Sequence, residues 1–185
     1  PRKQFTTLDT HDGIGVVDVK DLLSDEEIDQ TKEYLFSRGA NVKQIYNTAA
    51  YNNLDIYQLN CTYYSALGDN DDAYLLARAI QFFTPGIPQV YYVGLLAGEN
   101  DIELLEETKV GRNINRHYYT LEEAEETMDR PVVKKLFELM RFRNSYPVFD
   151  GHFSAVAVGQ EGLKLTWEDG MYRAVLEGNL KTHDF

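Results

Sequence analysis

Apolar positions make a short strand-like run at the start of this chain, recur at helical spacing through its middle, and alternate with polar ones at its end. Gln4-Phe5-Thr6-Thr7-Leu8 is a strand-like run that stops at the polar residues Asp9 to Asp12 and the turn Gly13-Ile14-Gly15. After Val16-Val17-Asp18-Val19 comes Ser24-Asp25-Glu26-Glu27, where a Ser N-cap and a Glu three residues on form a capping box, and acidic side chains complement the helix dipole. The spacing predicts a helix with Ile28, Thr31, Leu35 and Phe36 on one face, stopping at Gly39, a residue suited to the position just past a helix end. Residues 40–51 show no clear period and read as loop with some short strand. Asp69 to Phe83 is the clearest helix: Ala73, Leu76, Ala77, Ile80 and Phe83 recur at helical spacing, acidic residues come first, and Pro85-Gly86 closes it.

Gln89-Val90-Tyr91-Tyr92-Val93 then reads as a short β-branched and aromatic strand, and a helix leading into a strand is one repeat of an alternating α/β architecture. Gly94 and Gly98 open a polar connection from Glu99 to Tyr119 with no predicted element, and a loop of that length in a compact domain is usually functional. Thr120-Leu121-Glu122-Glu123 is a second capping box. Arg130-Pro131 divides two helices, with Pro131 at the first position of the second, where its missing N–H costs nothing. Val133, Leu136, Phe137 and Met140 mark the buried stripe of that helix, and Lys134, Arg141 and Arg143 read as its solvated flank. Past Tyr146-Pro147 the period becomes two. Phe153 to Val158, Leu163 to Trp167 and Met171 to Leu176, separated by Gly159-Gln160-Glu161-Gly162 and Glu168-Asp169-Gly170, predict hairpins of a small antiparallel sheet beginning near Asp150.

Composition narrows the function classes. With 43% apolar residues among 185, the chain has ample material for a core. Its net charge of −12 argues against non-specific binding to nucleic acid or anionic membranes, which needs a basic surface. An anionic substrate would have to be held locally by a few arginines. The single cysteine, Cys61, cannot form an internal disulfide and lacks metal-ligand spacing, so it reads as a buried thiol of a reducing cytoplasm. No apolar run approaches membrane length or resembles a signal peptide. No P-loop, zinc signature or dinucleotide fingerprint is present, and Gly13-Ile14-Gly15 lacks the third glycine and following helix of the latter. Neither a metal nor a cofactor is expected.

The candidate chemistry lies in Asp9-Thr10-His11-Asp12-Gly13. Ligands of α/β proteins gather at the carboxyl ends of strands, yet Asp-Gly is equally an ordinary turn, with Asp bonding its own backbone and Gly supplying a positive φ. Asp9 reads as a structural acceptor that an extended strand would place on the same face as His11.

Four motifs in order carry a more specific signal: Asp9-Thr10-His11-Asp12-Gly13-Ile14-Gly15, Asn53-Leu54-Asp55-Ile56-Tyr57-Gln58, Phe83-Thr84-Pro85-Gly86-Ile87-Pro88-Gln89-Val90-Tyr91-Tyr92, and Gly111-Arg112-Asn113-Ile114-Asn115-Arg116-His117-Tyr118-Tyr119. Together, and continuously to about Asp150, they resemble the bacterial sucrose phosphorylases of the α-amylase superfamily, although Thr10 stands where many amylases have Asn. The resemblance implies an α/β fold: the C-terminal part of a (β/α)8 TIM barrel, strands seven and eight with an insertion after strand seven, followed by part of a small antiparallel β domain. Residues 1–12 would be barrel strand seven and its catalytic end, and 13–68 an insertion subdomain with the substrate loop. Residues 69–150 would be helix seven, strand eight at Gln89 to Val93 and the final helices, and 151–185 the partial β domain. A complete barrel of this kind takes about 250 residues, so a fragment, inactive alone, is expected.

The activity implied is retaining transfer of a glucosyl group from sucrose to phosphate, giving glucose 1-phosphate and fructose. Such chemistry uses a nucleophilic carboxylate and a carboxylic acid about 5 Å apart, which the resemblance assigns to barrel strands four and five, upstream of Pro1. Asp12 matches the third carboxylate, the transition-state stabiliser, and His11 the histidine that bonds a glucose hydroxyl. Asp55, Ile56, Tyr57 and Gln58 match a loop that alternately meets fructose and phosphate. Arg112 matches an arginine beside the acceptor, and Arg116 and His117 would brace its loop. Alternatives are a phosphorylase of sucrose 6-phosphate or glucosylglycerate, an amylase-type hydrolase, and a carbohydrate-binding or interaction module without catalysis. A homodimer and a cytoplasmic location complete these expectations.

Overall fold

Local sequence signals set most of the elements found in a computed structural model, which describes residues 4–40 and 58–185. In chain order they are β1 (Phe5–Thr7), β2 (Ile14–Gly15), a 3-10 turn (Val17–Val19), α1 (Asp25–Ser37), β3 (Gln58–Leu59), α2 (Tyr63–Ala66), α3 (Asp71–Phe83), β4 (Ile87–Gln89), α4 (Tyr92–Leu95), α5 (Ile102–Thr108), a second 3-10 turn (Gly111–Asn115), α6 (Leu121–Met128), α7 (Pro131–Ser145), β5 (His152–Val158), β6 (Gly162–Asp169) and β7 (Tyr172–Asn179). The chain divides into two compact units, residues 1–8, 70–90 and 123–185 in one and 9–69 with 91–122 in the other.

In the first unit α3 starts at Asn70, whose side chain accepts from Ala73 N, with Asp71 and Asp72 in its first turn. The expected face is buried at Ala73, Leu76 and Phe83, but burial runs further round the helix, to Tyr74, Leu75, Ala79 and Phe82. Arg78 is buried with them, donating twice to the Tyr74 hydroxyl and once to Gln81 Oε1. The C-terminal carbonyls of α3, which no helical N–H can reach, are satisfied from a distance. Trp167 Nε1 donates to Phe83 O at 2.7 Å, and Arg143 donates to Phe82 O at 2.7 Å and Gly86 O at 2.8 Å. Arg143 therefore does not belong to the solvated flank of α7. Its guanidinium lies 4.2 Å from the Phe149 ring centre, and burial pushes its pKa below the usual arginine value.

The antiparallel sheet β5-β6-β7 forms as its alternation predicts, with Phe153 opposite Trp167 and Trp167 opposite Ala174. Leu165, Trp167, Ala174 and Leu176 pack against Ala79 and Phe83 of α3 and against Val148 and Phe149 in one core. The turns at Gly159 and Gly170 take positive φ. α7 begins at Pro131 as expected and buries Val132, Val133 and Leu136.

β1 and β4 pair in parallel, Phe5 with Ile87 and Thr7 with Gln89, and the Gln81 amide joins them by donating to both Thr6 O and Gln89 O at 2.8 Å. This corrects the expected strand at Gln89 to Val93. Ile87 N donates to Gln4 O at 2.7 Å, so the pairing begins at Ile87 and ends with β1 at Thr7. Beyond Gln89 there is no partner strand among the described residues, and the chain winds instead into α4, with Leu95 N bonded to Tyr91 O.

In the second unit α1 carries the predicted capping box, Ser24 and Glu27 each accepting from the other's backbone. That bonding holds the Glu27 pKa below the usual carboxylate value. The helix ends as expected, with Gly39 at φ +82°, and packs Leu35 with Ala40, Leu59, Cys61 and Ala66. The connection from Glu99 to Tyr119, expected to lack structure, contains α5 and the second 3-10 turn. Asp101 caps α5 by accepting from Leu104 N at 2.8 Å, and a seven-residue helix is too short to register as a period.

Candidate functional site

The polar turn Asp9 to Gly13 ends in a backbone conformation that glycine makes available. Gly13 has φ +110°, and a Cβ there would lie 2.2 Å from Leu59 O. That close approach lets β2 pair with β3, Ile14 with Leu59 and Gly15 with Gln58, and fixes where Asp12 leaves the turn. Because regular strand stops at Thr7, the same-face expectation for Asp9 and His11 does not apply: Asp9 is buried and His11 exposed.

Three successive carbonyls of the turn each accept from a side chain far away in sequence. Thr10 O accepts from Asn115 Nδ2 at 3.3 Å, His11 O from Arg116 Nε at 3.0 Å, and Asp12 O from Asn60 Nδ2 at 2.7 Å. Thr10 Oγ1 also accepts from Asp12 N at 3.2 Å. The backbone under the two sequence-predicted residues is therefore held from outside.

The Asp12 carboxylate collects the charges. Its Oδ1 lies 3.0 Å from Arg112 Nη1 and 3.5 Å from Arg116 Nη2, and its Oδ2 lies 3.3 Å from His11 Nε2. His11, Asp12 and Arg112, predicted separately, thus form one cluster. One carboxylate thus sits beside two guanidiniums, groups that can bind phosphate or vicinal hydroxyls.

The loop behind the arginines is braced by polar and aromatic contacts. His117 Nδ1 lies 2.6 Å from Asp101 Oδ2, and its ring meets Tyr119 edge to face at 4.5 Å. Tyr92 donates to His117 O at 2.8 Å, and Tyr91 to Asn115 O at 3.2 Å. Burial, with the neighbouring Tyr92 next in importance, pushes the Tyr91 hydroxyl well above its ordinary pKa and keeps it a donor. Gly111 matters for space: a Cβ there would sit 2.9 Å from Asn60 Oδ1.

Of the expected substrate loop, Gln58 is half-buried in β3, while Asp55, Ile56 and Tyr57 lie outside the described residues. Sequence reasoning gave no role to Asn60, which has no periodic or motif signal, or to Asn115, which lies inside the fourth motif. It assigned Arg116 to bracing, and that residue also reaches the carboxylate. Among the described residues no group of three His, Cys, Asp or Glu side chains could hold a metal ion.

No family model matches the chain. A sucrose phosphorylase of Streptococcus mutans is 68% identical over 150 residues, covering 81% of this chain and 31% of the relative. A glucosylglycerol phosphorylase of Marinobacter adhaerens is 52% identical over 173 residues, covering 93% of this chain and 36% of the relative. The crystal structure of a sucrose 6F-phosphate phosphorylase from Thermoanaerobacter thermosaccharolyticum is similar at a TM-score of 0.90 and 49% identity, over 99% of this chain and 37% of that one. The chain thus spans about a third of the length of the curated relatives it matches.

Proposed function

We propose, from the homology of this chain to the sucrose phosphorylases and their glycosyl phosphorylase relatives, that it supplies one wall of the sugar pocket in an enzyme that moves a glucosyl group from sucrose to phosphate. The observation that carries the reading is the Asp12 carboxylate at the end of the turn after β1, bracketed by His11, Arg112 and Arg116. In this reading β1 and β4 are barrel strands seven and eight, and the chain contributes segments 1–12, 13–68, 69–150 and 151–185 in the roles expected from sequence.

The reaction needs two carboxyl groups that the reading assigns to polypeptide other than these 185 residues. A nucleophilic carboxylate takes C1 of glucose as the bond to the fructosyl oxygen breaks, and a carboxylic acid gives its proton to that oxygen. Phosphate oxygen then attacks C1, displacing the carboxylate and returning a proton to the second group, so that configuration is retained. Asp12 stands against the positive charge that develops at C1 in both steps, an electrostatic contribution worth about 3–4 kcal/mol where single contacts of this kind have been removed. His11 bonds a glucose hydroxyl. Arg112, with Gln58 and the loop residues Asp55, Ile56 and Tyr57, meets fructose and then phosphate. Sucrose is favoured over 6-phosphorylated sucrose, glucosylglycerol and glucosylglycerate by the higher identity to the Streptococcus mutans relative. Cytoplasmic residence is supported by the single buried thiol, and homodimer assembly remains the expectation for the whole enzyme.

The test is glucose 1-phosphate release by the full-length polypeptide carrying this sequence, offered each of the four glucosides with phosphate. Sucrose should be the fastest substrate. Faster release from another glucoside would reassign the acceptor, and glucose release independent of phosphate would overturn the phosphorylase reading.

A further inference from the structure

Both peptide groups that flank Asp12 are held by side chains. In the one before it, His11 O accepts from Arg116 Nε at 3.0 Å and Asp12 N donates to Thr10 Oγ1 at 3.2 Å. In the one after it, Asp12 O accepts from Asn60 Nδ2 at 2.7 Å. A carbonyl only accepts, so the amide nitrogen of Asn60, not its oxygen, faces Asp12. Peptide groups are planar, and the two dihedrals between them decide where a side chain leaves the backbone. Holding both planes therefore sets the direction in which the Asp12 carboxylate points.

The second plane is the more demanding one. It leads into Gly13 at φ +110°, and glycine restrains its neighbour less than any other residue does. The anchor on that plane is itself firmly seated. Asn60 is buried, and so are Leu59 before it and Cys61 after it. Leu59 pairs with Ile14 across β2 and β3. On the other side Asn100 Nδ2 donates to Cys61 Sγ at 3.4 Å, and Asn100 Oδ1 accepts from Thr62 N at 2.8 Å. The backbone of Asn60 is thus fixed from both directions, and its amide meets the Asp12 carbonyl from a rigid base. We infer that Asn60 is a positioning residue: by holding the Asp12 carbonyl it aims the Asp12 carboxylate at the positive charge that develops on the glucosyl carbon. This rests on the proposed function, which makes Asp12 the stabiliser of that charge.

The experiment uses the full-length polypeptide carrying this sequence and compares the unaltered enzyme with Asn60→Ala, which removes the donor without adding charge. Two constants are read that do not depend on the folded fraction. One is the KM for sucrose. The other is the inhibition constant of 1-deoxynojirimycin, a glucose analogue whose ring nitrogen takes a proton and so carries a charge like that of the transition state. A carboxylate that has lost its aim weakens the cation more than the neutral glucoside. The inhibition constant should rise about tenfold and kcat should fall by a similar factor, while the KM for sucrose changes less than about threefold. A fall in kcat with both constants unchanged would mean that Asn60 serves only to keep the protein folded. Equal rises in both constants would mean that it shapes the sugar pocket without aiming the charge. Either result overturns the inference, as would no change at all. A rise confined to the KM for phosphate would also overturn it, placing Asn60 with Gln58 on the acceptor side. Where Asn60→Ala does not accumulate, Asn60→Ser, whose hydroxyl is too short to reach the carbonyl, is read by the same pair of constants. If the unaltered enzyme forms no glucose 1-phosphate, the proposed function itself has failed, a result distinct from any outcome with the variants.

Discussion

The Asp12 carboxylate accepts a hydrogen bond from Arg112 Nη1 at 3.0 Å across a hundred residues of chain. Neither residue belongs to a long element: one follows a three-residue strand, the other sits in a 3-10 turn. Asp12→Asn keeps the shape and a carbonyl acceptor for Arg112 while removing the charge. In the full-length polypeptide it should lower kcat by at least about a hundredfold and leave the melting temperature nearly unchanged. Steady-state kinetics and thermal unfolding check both, and near-normal turnover would remove Asp12 from its proposed role.

Gly13→Ala should destabilise by more than about 2 kcal/mol, because it combines backbone strain with a steric clash. The new Cβ would lie 2.2 Å from Leu59 O at a φ of +110°. Gly159→Ala is the control. Its φ is also positive, but nothing lies within 4 Å of the added carbon, so only the left-handed penalty of about 1–2 kcal/mol applies. Urea unfolding of the two variants in parallel should show the larger loss for Gly13→Ala.

Trp167→Phe keeps an aromatic ring in the core but removes the donor that reaches Phe83 O at 2.7 Å. A buried carbonyl left without its hydrogen bond costs about 1–3 kcal/mol. Chemical denaturation should show a loss in that range, and a change within experimental error would show that water or a backbone shift replaces the cap.

Burial pushes the Cys61 thiol pKa up to about 11, outweighing the lowering by its Asn100 hydrogen bond. The native thiol should therefore resist alkylation by iodoacetamide at pH 8 and react once the protein is unfolded. The linked effect on stability has a definite sign. An unfolded thiol ionises at lower pH than the folded one, so the unfolded state gains relative to the folded state as pH rises from about 9 towards 11. Cys61→Ser should lose this part of the alkaline decline, as measured by urea midpoints between pH 8 and 11.

Elements encoded by near neighbours are legible in the sequence. The capping box at Ser24, the Pro131 start of α7 and the period-two run from Phe153 are short-range signals, and each appears within a residue of where its chemistry predicts. The failures share one cause. The second parallel strand lies at Ile87–Gln89 rather than Gln89 to Val93 because its extent depends on β1, some eighty residues earlier. Arg143 reads as solvated flank because the carbonyls it satisfies lie outside its own helix. At the site, His11, Asp12 and Arg112 receive roles from their motifs, whereas Asn60 lies outside every motif and Asn115, inside one, receives no role. An asparagine that holds a distant carbonyl has no period, and its partner lies 48 or 105 residues away.

Asn60 carries one more consequence. Its Nδ2 holds the Asp12 carbonyl, and its Oδ1 is the atom that a Cβ at position 111, next to Arg112, would approach to 2.9 Å. A single amide therefore registers the acidic and the basic member of the pair against each other. A larger residue at 111 would press on Asn60, and Asn60 would press on Asp12, so a change made for one charge is transmitted to the other. Asn60 therefore ties the backbone beneath position 12 to the space beside position 112, although the two charged side chains themselves meet only across their own 3.0 Å contact.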